Sequence, residues 1–586
     1  MRLQSVLALS LCLVSTSTSD AQERVPGDGW LRFADPTQAG FDISELEAAR
    51  ETWEQMPSSA FMVIADGAVV AAWGDVDRRF MCHSVRKSFL SALYGVYWDR
   101  GEIELNKTLD DLGMDDEPSP LMETEKTARI LDLLKARSGV FHPAAYAGRT
   151  DGRPRGSEGA GRYFAYNNWD FNTLATILEM ETGDSVFEAF DEHFGIPLGM
   201  EDWRVTDGYF HYERDKSKYP AYPFRMSARD AARFGLLFAR SGMWADESVL
   251  SRHWVKRSTG LYSIDSDIMG YGFMWWVFLE PRFERHGMVS ALGVGNQMIA
   301  ALPDSDIVIV NRANTYVGEN TPMEPLLDLI EAVLASRTGE VAPSPRLVPL
   351  ESRTNPRITH VDSDSLGEFV GEWTYPPPVM GSPATSSVDF EAGPGHLVTY
   401  ADFEGTFRLH IQPDGSWYEE DTHRFYMPVR DEAGAFNGIC GANFVVNGAM
   451  EALAVGNIDR AQELMDMVDG RDVPMLQAGR ALVDFLVAVP DEAEDRLRQL
   501  AEHSIDLSSD ISRIALRISD LENPDLAHAL FALNTRLFPQ AFEAWTGLAE
   551  TQLKLGDIAG ARQSFERALE LNPQSGAVRR KLDQLR

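Results

Sequence analysis

Two short runs, Ser84-Val-Arg-Lys87 and Tyr166-Asn-Asn168, require a fold that brings the first turn of a buried helix beside a tyrosine from much further along the chain. Ser84 is the only serine with a lysine three residues ahead, and Tyr166 the only tyrosine with an asparagine two ahead. Phe89, Leu90, Leu93, Val96 and Tyr97 follow at helical spacing, so Ser84 is expected to open a buried helix. At i and i+3 the Lys87 ammonium would lie beside the Ser84 hydroxyl, and the first-turn amides would face an oxyanion forming there. Serine needs a base to become a nucleophile, and a lysine or a tyrosine serves if its pKa falls. A cation beside a phenol favours phenolate, so Lys87 next to Tyr166 is expected to help each act as base. Either run alone is weak, and a lone tyrosine is an ordinary core residue. Their order and surroundings favour catalysis.

These runs resemble the serine β-lactamase, penicillin-binding protein and esterase superfamily, whose S-x-x-K box opens a helix in this way. Tyrosine in the second box is similar to the class C β-lactamase, D-aminopeptidase and family VIII esterase branch. The texts His83-Ser-Val-Arg-Lys-Ser88 and Tyr166-Asn-Asn-Trp-Asp-Phe-Asn172 look closest to hydrolases related to 6-aminohexanoate-dimer hydrolase. The similarity runs from about Phe61 to Arg337. It implies Ser84 as the acylated nucleophile, Lys87 and Tyr166 as the proton-transfer pair, and Asn168 as a group orienting Lys87 and the substrate. It also implies an antiparallel sheet beside a helical lobe, with the site between them.

One departure bears on substrate. The family's third box is a Lys-Thr-Gly or His-Thr-Gly run on the strand lining the cleft, and its counterpart here is Ser290-Ala-Leu-Gly-Val-Gly-Asn-Gln297. Gly293, Gly295 and Asn296 are its candidate substrate-binding residues. Glycines suit close backbone approach to a ligand, but no lysine or histidine stands in the run. That disfavours recognition of a carboxylate unless Arg153, Arg155 or Arg162, from the glycine- and arginine-rich stretch Pro143 to Tyr163, replaces the missing cation. Trp169, Trp275 and Trp276 are candidates to line the site, with structural packing as the default for each.

The 586 residues exceed what one core organises. A formal charge of −35 argues against nucleic acid and anionic membranes as partners. Arg2, the apolar run Val6 to Val14 and Ser19-Asp-Ala21 read as a secretory signal over residues 1–21, too short for a membrane span. Export to the periplasm or medium is expected. Cys82 and Cys440 remain afterwards and suggest no disulfide framework. No metal or nucleotide motif occurs, so no cofactor is expected.

The expected fold is multidomain. A β-lactamase-like α/β domain over 28–337 begins with the hairpin Phe61–Ala65, Asp66-Gly67, Ala68–Trp73. Helices are expected at Ser84 to Asp99, Thr127 to Arg137, Phe171 to Glu181, Ala228 to Arg240 and Glu324 to Ser336. Strands are expected at Tyr271 to Phe278, Gln297 to Leu302 and Ile307 to Asn311. A proline-rich linker over 338–359 leads to a small all-β module over 360–446, an antiparallel barrel or sandwich that resembles the lipocalin-like modules of related hydrolases. The tail, 447–586, is all-α. Ala527, Phe531 and Pro539 recur 34 residues later as Ala561, Phe565 and Pro573, a tetratricopeptide-like period, with weaker copies around Ala461 and Ala493. Such arrays bind protein segments or self-associate.

The function expected is a serine hydrolase acting through an acyl-enzyme on a small ester or amide. The alternatives are β-lactamase or D-alanyl peptidase activity, or a non-catalytic binding protein acting through its repeat tail.

Overall fold

The computed structural model describes residues 24–585 apart from 148–152, 318, 353–354, 376–385, 402–404, 431–432, 467, 469, 472, 488, 502–506, 522 and 573–574. The segment read as a secretory signal, and Pro573 of the repeat, lie outside the described residues. The chain divides into two compact units, one running to Ser352 and the other comprising Arg353–Arg586 with the short segments Thr206–His211 and Asn314–Glu319.

The first unit is built on one ten-stranded sheet. Its strands are β1 (Leu31–Phe33), β2 (Ala60–Ala65), β3 (Ala68–Gly74), β4 (Ser263–Ile264), β5 (Met269–Tyr271), β6 (Trp276–Phe278), β7 (Val289–Gly293), β8 (Gln297–Leu302), β9 (Ile307–Arg312) and β10 (Leu347–Pro349). They lie in the order β10-β1-β3-β2-β9-β8-β7-β6-β5-β4. The sheet is antiparallel except where Arg32 of β1 meets Val69 of β3 in parallel, which makes it mixed. Asp66 and Gly67, both at positive φ, form the expected tight turn between β2 and β3.

Alternation along the strands creates two apolar faces. Phe61, Val63, Met298, Ala300, Ile307 and Ile309 pack against α1 (Ile43–Glu54) and the later helix Met323–Ala335. The opposite face meets the helix Ala228–Ala239, where Gly235 lets the backbone close on Val308 and Ile299. Ser227 caps that helix by accepting from the Asp230 amide at 3.1 Å. Between sheet and helical lobe runs α2 (Arg86–Asp99), buried on nearly every side; Gly95 lies against the Trp254 indole, where a Cβ would come within 2.4 Å.

Two expected elements differ. Only Ile130–Leu134 of the stretch Thr127 to Arg137 is helical, because Arg129 bridges to Thr108 in extended conformation and Ala136 turns left-handed. The run Tyr271 to Phe278 is not one strand but the hairpin β5–β6. Met274 at φ 61 makes the reversal, and its carbonyl accepts from Ser88 Oγ at 2.7 Å.

In the second unit seven strands from Gly371 to Gly441 close into a barrel, sealed by a parallel pairing of Thr374 with Gly438. Phe390, Leu397, Leu409, Trp417 and Phe436 fill it. Helical pairs follow. Ala527 and Phe531 on Pro524–Leu537, and Ala561 and Phe565 on Ile558–Leu571, are all buried, as the 34-residue spacing requires. The stretch read as a linker contains β10, which pairs with β1, and the boundary read at 446/447 falls inside the helix Ala442–Ala454. Barrel residues Met427 and Cys440 share a core with Val446 and Leu476, so no apolar break marks that junction. Among the described residues no helix is long and apolar enough to cross a membrane, and no His/Cys/Asp/Glu group is arranged to hold a metal.

Candidate active site

The turn carrying Ser84 is a 3₁₀ turn, His83–Val85, running directly into α2, so Ser84 stands just ahead of the helix rather than within it. His83 has φ 48, a left-handed conformation that costs a non-glycine residue about 1–3 kcal/mol and recurs where a side chain must be aimed. Lys87 Nζ lies 2.7 Å from Ser84 Oγ and 2.5 Å from the Tyr166 hydroxyl. The two runs singled out in the sequence are therefore in direct contact.

Tyr166 is delivered by the segment leading into α3 (Asn168–Thr182). Asn167 caps that helix by accepting from the Trp169 amide at 2.7 Å, and its own amide donates to Val140 O at 2.6 Å. The tyrosine ring stacks on Trp276 at 5.6 Å and meets Phe171 and Tyr271 edgewise or tilted. The Lys87 ammonium position lies 4.4 Å from the Tyr166 ring centre and 4.7 Å from that of Phe171.

Burial governs the charges. It pushes the Lys87 amine well below the ordinary lysine range, and the Arg86 guanidinium pushes it the same way. Burial lifts the Tyr166 phenol to about 12 against the opposing pull of a hydrogen bond to Ser84 and the charge of Arg86. Both shifts run against the expected phenolate beside a lysine cation, because burial disfavours the charged form of each group. The imidazole of His83 is pushed down to about 4 by burial and by Arg86 and Lys87, and its Nδ1 is 2.8 Å from Tyr146 Oη.

The other predicted residues separate into two groups. Gly293, at the end of β7, is pressed against the turn carrying Ser84: a Cβ there would lie 2.5 Å from Cys82 O and 3.1 Å from Ser84 N. Gly295 has φ 80 and makes the turn from β7 into β8. Asn296 at φ 53 is tied to the scaffold, its amide donating to Thr321 O at 2.6 Å. Asn168 does not reach Lys87; its amide donates to the Tyr146 carbonyl, which fixes the loop before the helix. The loop arginines are engaged or outward-facing. Arg155 holds Glu125 at 2.6 Å and Ser119 at 2.6 Å, Arg153 pairs with Glu158 at 3.2 Å, and Arg162 is exposed. Trp169 and Trp275 are fully buried packing groups, whereas Trp276 is partly exposed on the Tyr166 ring.

Sequence reading missed Arg86, Tyr146 and Asn167. Asn167 stood in the N-cap position of an apolar helix, and that signal was present. Arg86 and Tyr146 carried no local signal, since their importance comes from being buried beside Ser84.

Residues 44–331 match the beta-lactamase family model and residues 542–575 the tetratricopeptide repeat model. No curated protein matches the chain. Among solved structures, a putative 6-aminohexanoate-dimer hydrolase from Bacillus anthracis is 18% identical with a TM-score of 0.40, covering 54% of this chain and 89% of its own. A putative beta-lactamase from Bacteroides dorei DSM 17855 is 16% identical with a TM-score of 0.40, covering 51% and 100%. A penicillin-binding protein from Bacillus halodurans is 16% identical with a TM-score of 0.37, covering 50% and 99%. The chain thus carries a beta-lactamase-family domain over residues 44–331 and a tetratricopeptide repeat over residues 542–575.

Proposed function

We propose that the protein is an exported serine hydrolase that cleaves a small neutral ester or amide through an acyl-enzyme on Ser84. The observation carrying this reading is the contact of Ser84 Oγ with a buried Lys87 amine at 2.7 Å, itself 2.5 Å from Tyr166. A lysine whose pKa is lowered by burial is better suited to act as general base, and it stands at hydrogen-bond distance from the hydroxyl it must deprotonate.

In the reaction, Ser84 Oγ attacks the carbonyl carbon while its proton passes to Lys87 Nζ and the carbonyl π pair moves onto oxygen. The Ser84 amide, beside the Gly293 end of β7, is the candidate donor to that oxyanion. Collapse breaks the bond to the leaving alkoxide or amine, which takes a proton from the Lys87 ammonium through the Tyr166 hydroxyl. Water then attacks the acyl-enzyme by the same proton route in reverse and returns Ser84. The uncharged third box and the engaged Arg153 and Arg155 support a neutral substrate over one recognised by its carboxylate.

Fluorophosphonate labelling read by intact mass tests the reading. One adduct is expected on the parent protein and none on Ser84→Ala, with p-nitrophenyl ester turnover lost in step. An adduct retained by Ser84→Ala would overturn it.

A further inference from the structure

The guanidinium of Arg86 is fully buried beside the nucleophile, and no carboxylate neutralises it among the described residues. Its Nη1 donates to the carbonyl of His83 at 3.0 Å. Its Nε and Nη2 have no hydrogen-bond partner. The charge is held between ring faces instead, 4.9 Å from the Tyr222 centre and 5.2 Å from that of Tyr146. A buried cation without a counter-ion is costly, and a fold normally supplies an acid or expels the charge. Its retention in the S-x-x-K box, one residue before the lysine, calls for a role.

Resting on the serine-hydrolase reading, we infer that Arg86 is the positioning residue of the proton-transfer pair: its permanent charge excludes a second cation at Lys87, and its fork pins the left-handed His83 turn that presents Ser84. Arginine suits the task because it stays charged when buried, whereas a lysine there would surrender its own proton.

The surroundings leave this charge dominant. On its own turn stand His83, held neutral, and Lys87. From the segments around α3 come Tyr146, Tyr166 and Asp170, whose carboxyl pKa burial raises well above the ordinary carboxylate range. Tyr222 and Tyr271 face the cluster as phenols with pKa values raised by burial. Behind the turn the buried Arg312 lies 3.9 Å from Cys82 Sγ, and beyond Tyr146 Glu213 is occupied by Lys216. Among the described residues none of these carboxyl groups forms an ion pair or hydrogen bond with Arg86, whose contacts are the His83 carbonyl and two ring faces.

The test is the pH dependence of the fluorophosphonate inactivation rate, which counts only folded, competent sites. In Arg86→Met and Arg86→Gln the acid limb should move up by about 1–2 pH units, the effect of removing a nearby unit charge at an effective dielectric of about 20. Tyr222→Phe keeps the charge and the ring face, and should leave the limb within about 0.3 units of the parent, below the resolution of a charge effect. Labelling with an unmoved limb in both arginine variants would overturn the inference and leave the hydrolase reading standing. Absence of labelling on the parent itself would instead remove that reading. Should neither variant fold, Arg86→Lys takes their place: a buried lysine there surrenders its proton, so the limb should rise as in the neutral variants, and a limb at the parent's position overturns the inference.

Discussion

Gly293→Ala isolates the packing of the third-box strand against the nucleophile. Gly293 has φ −141 and ψ 166, extended backbone that alanine adopts without strain, so any effect is steric. The added Cβ would sit 2.5 Å from Cys82 O, where ordinary contact begins at 3.4 Å, and 3.2 Å from His83 Cβ. The strand and the turn must therefore separate by about 0.9 Å, and both opposing atoms belong to rigid parts of the turn. A misplacement near 1 Å costs about 10²-fold in rate when reacting groups lose alignment, while the overpacking costs about 1–3 kcal/mol of stability. The expected result is a fall in kcat/KM for a p-nitrophenyl ester of about 10²-fold, with a stoichiometric but slow fluorophosphonate reaction. Gly295→Ala is the contrast, because φ 80 makes it strained yet it lies at the tip of the turn. It should lose stability of about 1 kcal/mol with a far smaller rate effect. Gly293→Ala retaining kcat/KM within threefold would refute the claim that β7 sets the position of Ser84.

Lys87→Met and Tyr166→Phe should each lower kcat by roughly 10²–10⁴-fold, and the double variant should lose little more than the worse single one, since coupled groups fail non-additively; fully additive losses would separate their roles. The depressed Lys87 pKa fixes the sign of the pH dependence: activity falls as pH drops through it, and Tyr166 at about 12 adds no alkaline limb near neutrality. A neutral p-nitrophenyl ester should surpass nitrocefin in kcat/KM on one preparation, and efficient nitrocefin turnover with negligible ester hydrolysis would show that a cation is available to a substrate carboxylate.

The sequence carried the parts of this protein that depend on local periodicity and on rare residue pairs. Ser84 and Lys87 met as expected because the 3₁₀ turn runs straight into α2 and keeps i and i+3 together, and Tyr166 joined them from the approach to α3. The β2–β3 turn and the buried Ala527, Phe531, Ala561 and Phe565 were legible for the same reason. What periodicity does not encode is long-range competition for polar groups. Asn168 was expected at Lys87, but its amide is taken by the carbonyl of Tyr146, twenty-two residues earlier. Arg155 was available for a substrate until Glu125 claimed it. The Tyr271 to Phe278 run looked like one strand because its apolar content is continuous, whereas the reversal at Met274 is closed by the Gly272 amide donating to Trp275 O and by Ser88 donating to Met274 O.

The protonation states follow from the same competition, and they tie function to stability. Lys87 binds a proton readily in the unfolded chain and poorly in the folded one, so its folded pKa is the lower of the two. Between those two values the unfolded state holds more protons, and the contribution of this site to stability therefore rises with pH. Below the ordinary lysine range the fold is thus working against the charged form of Lys87. Arg86 deepens that opposition by pushing the Lys87 pKa the same way as burial, and its own Nε and Nη2 are buried without hydrogen-bond partners. A sheet with two apolar faces and an α2 buried on nearly every side supply the surplus that permits it. Buried polar atoms without partners occur elsewhere too, as at Ser91, Asn172 and Arg233, so those of Arg86 bear on function only through its place beside Ser84.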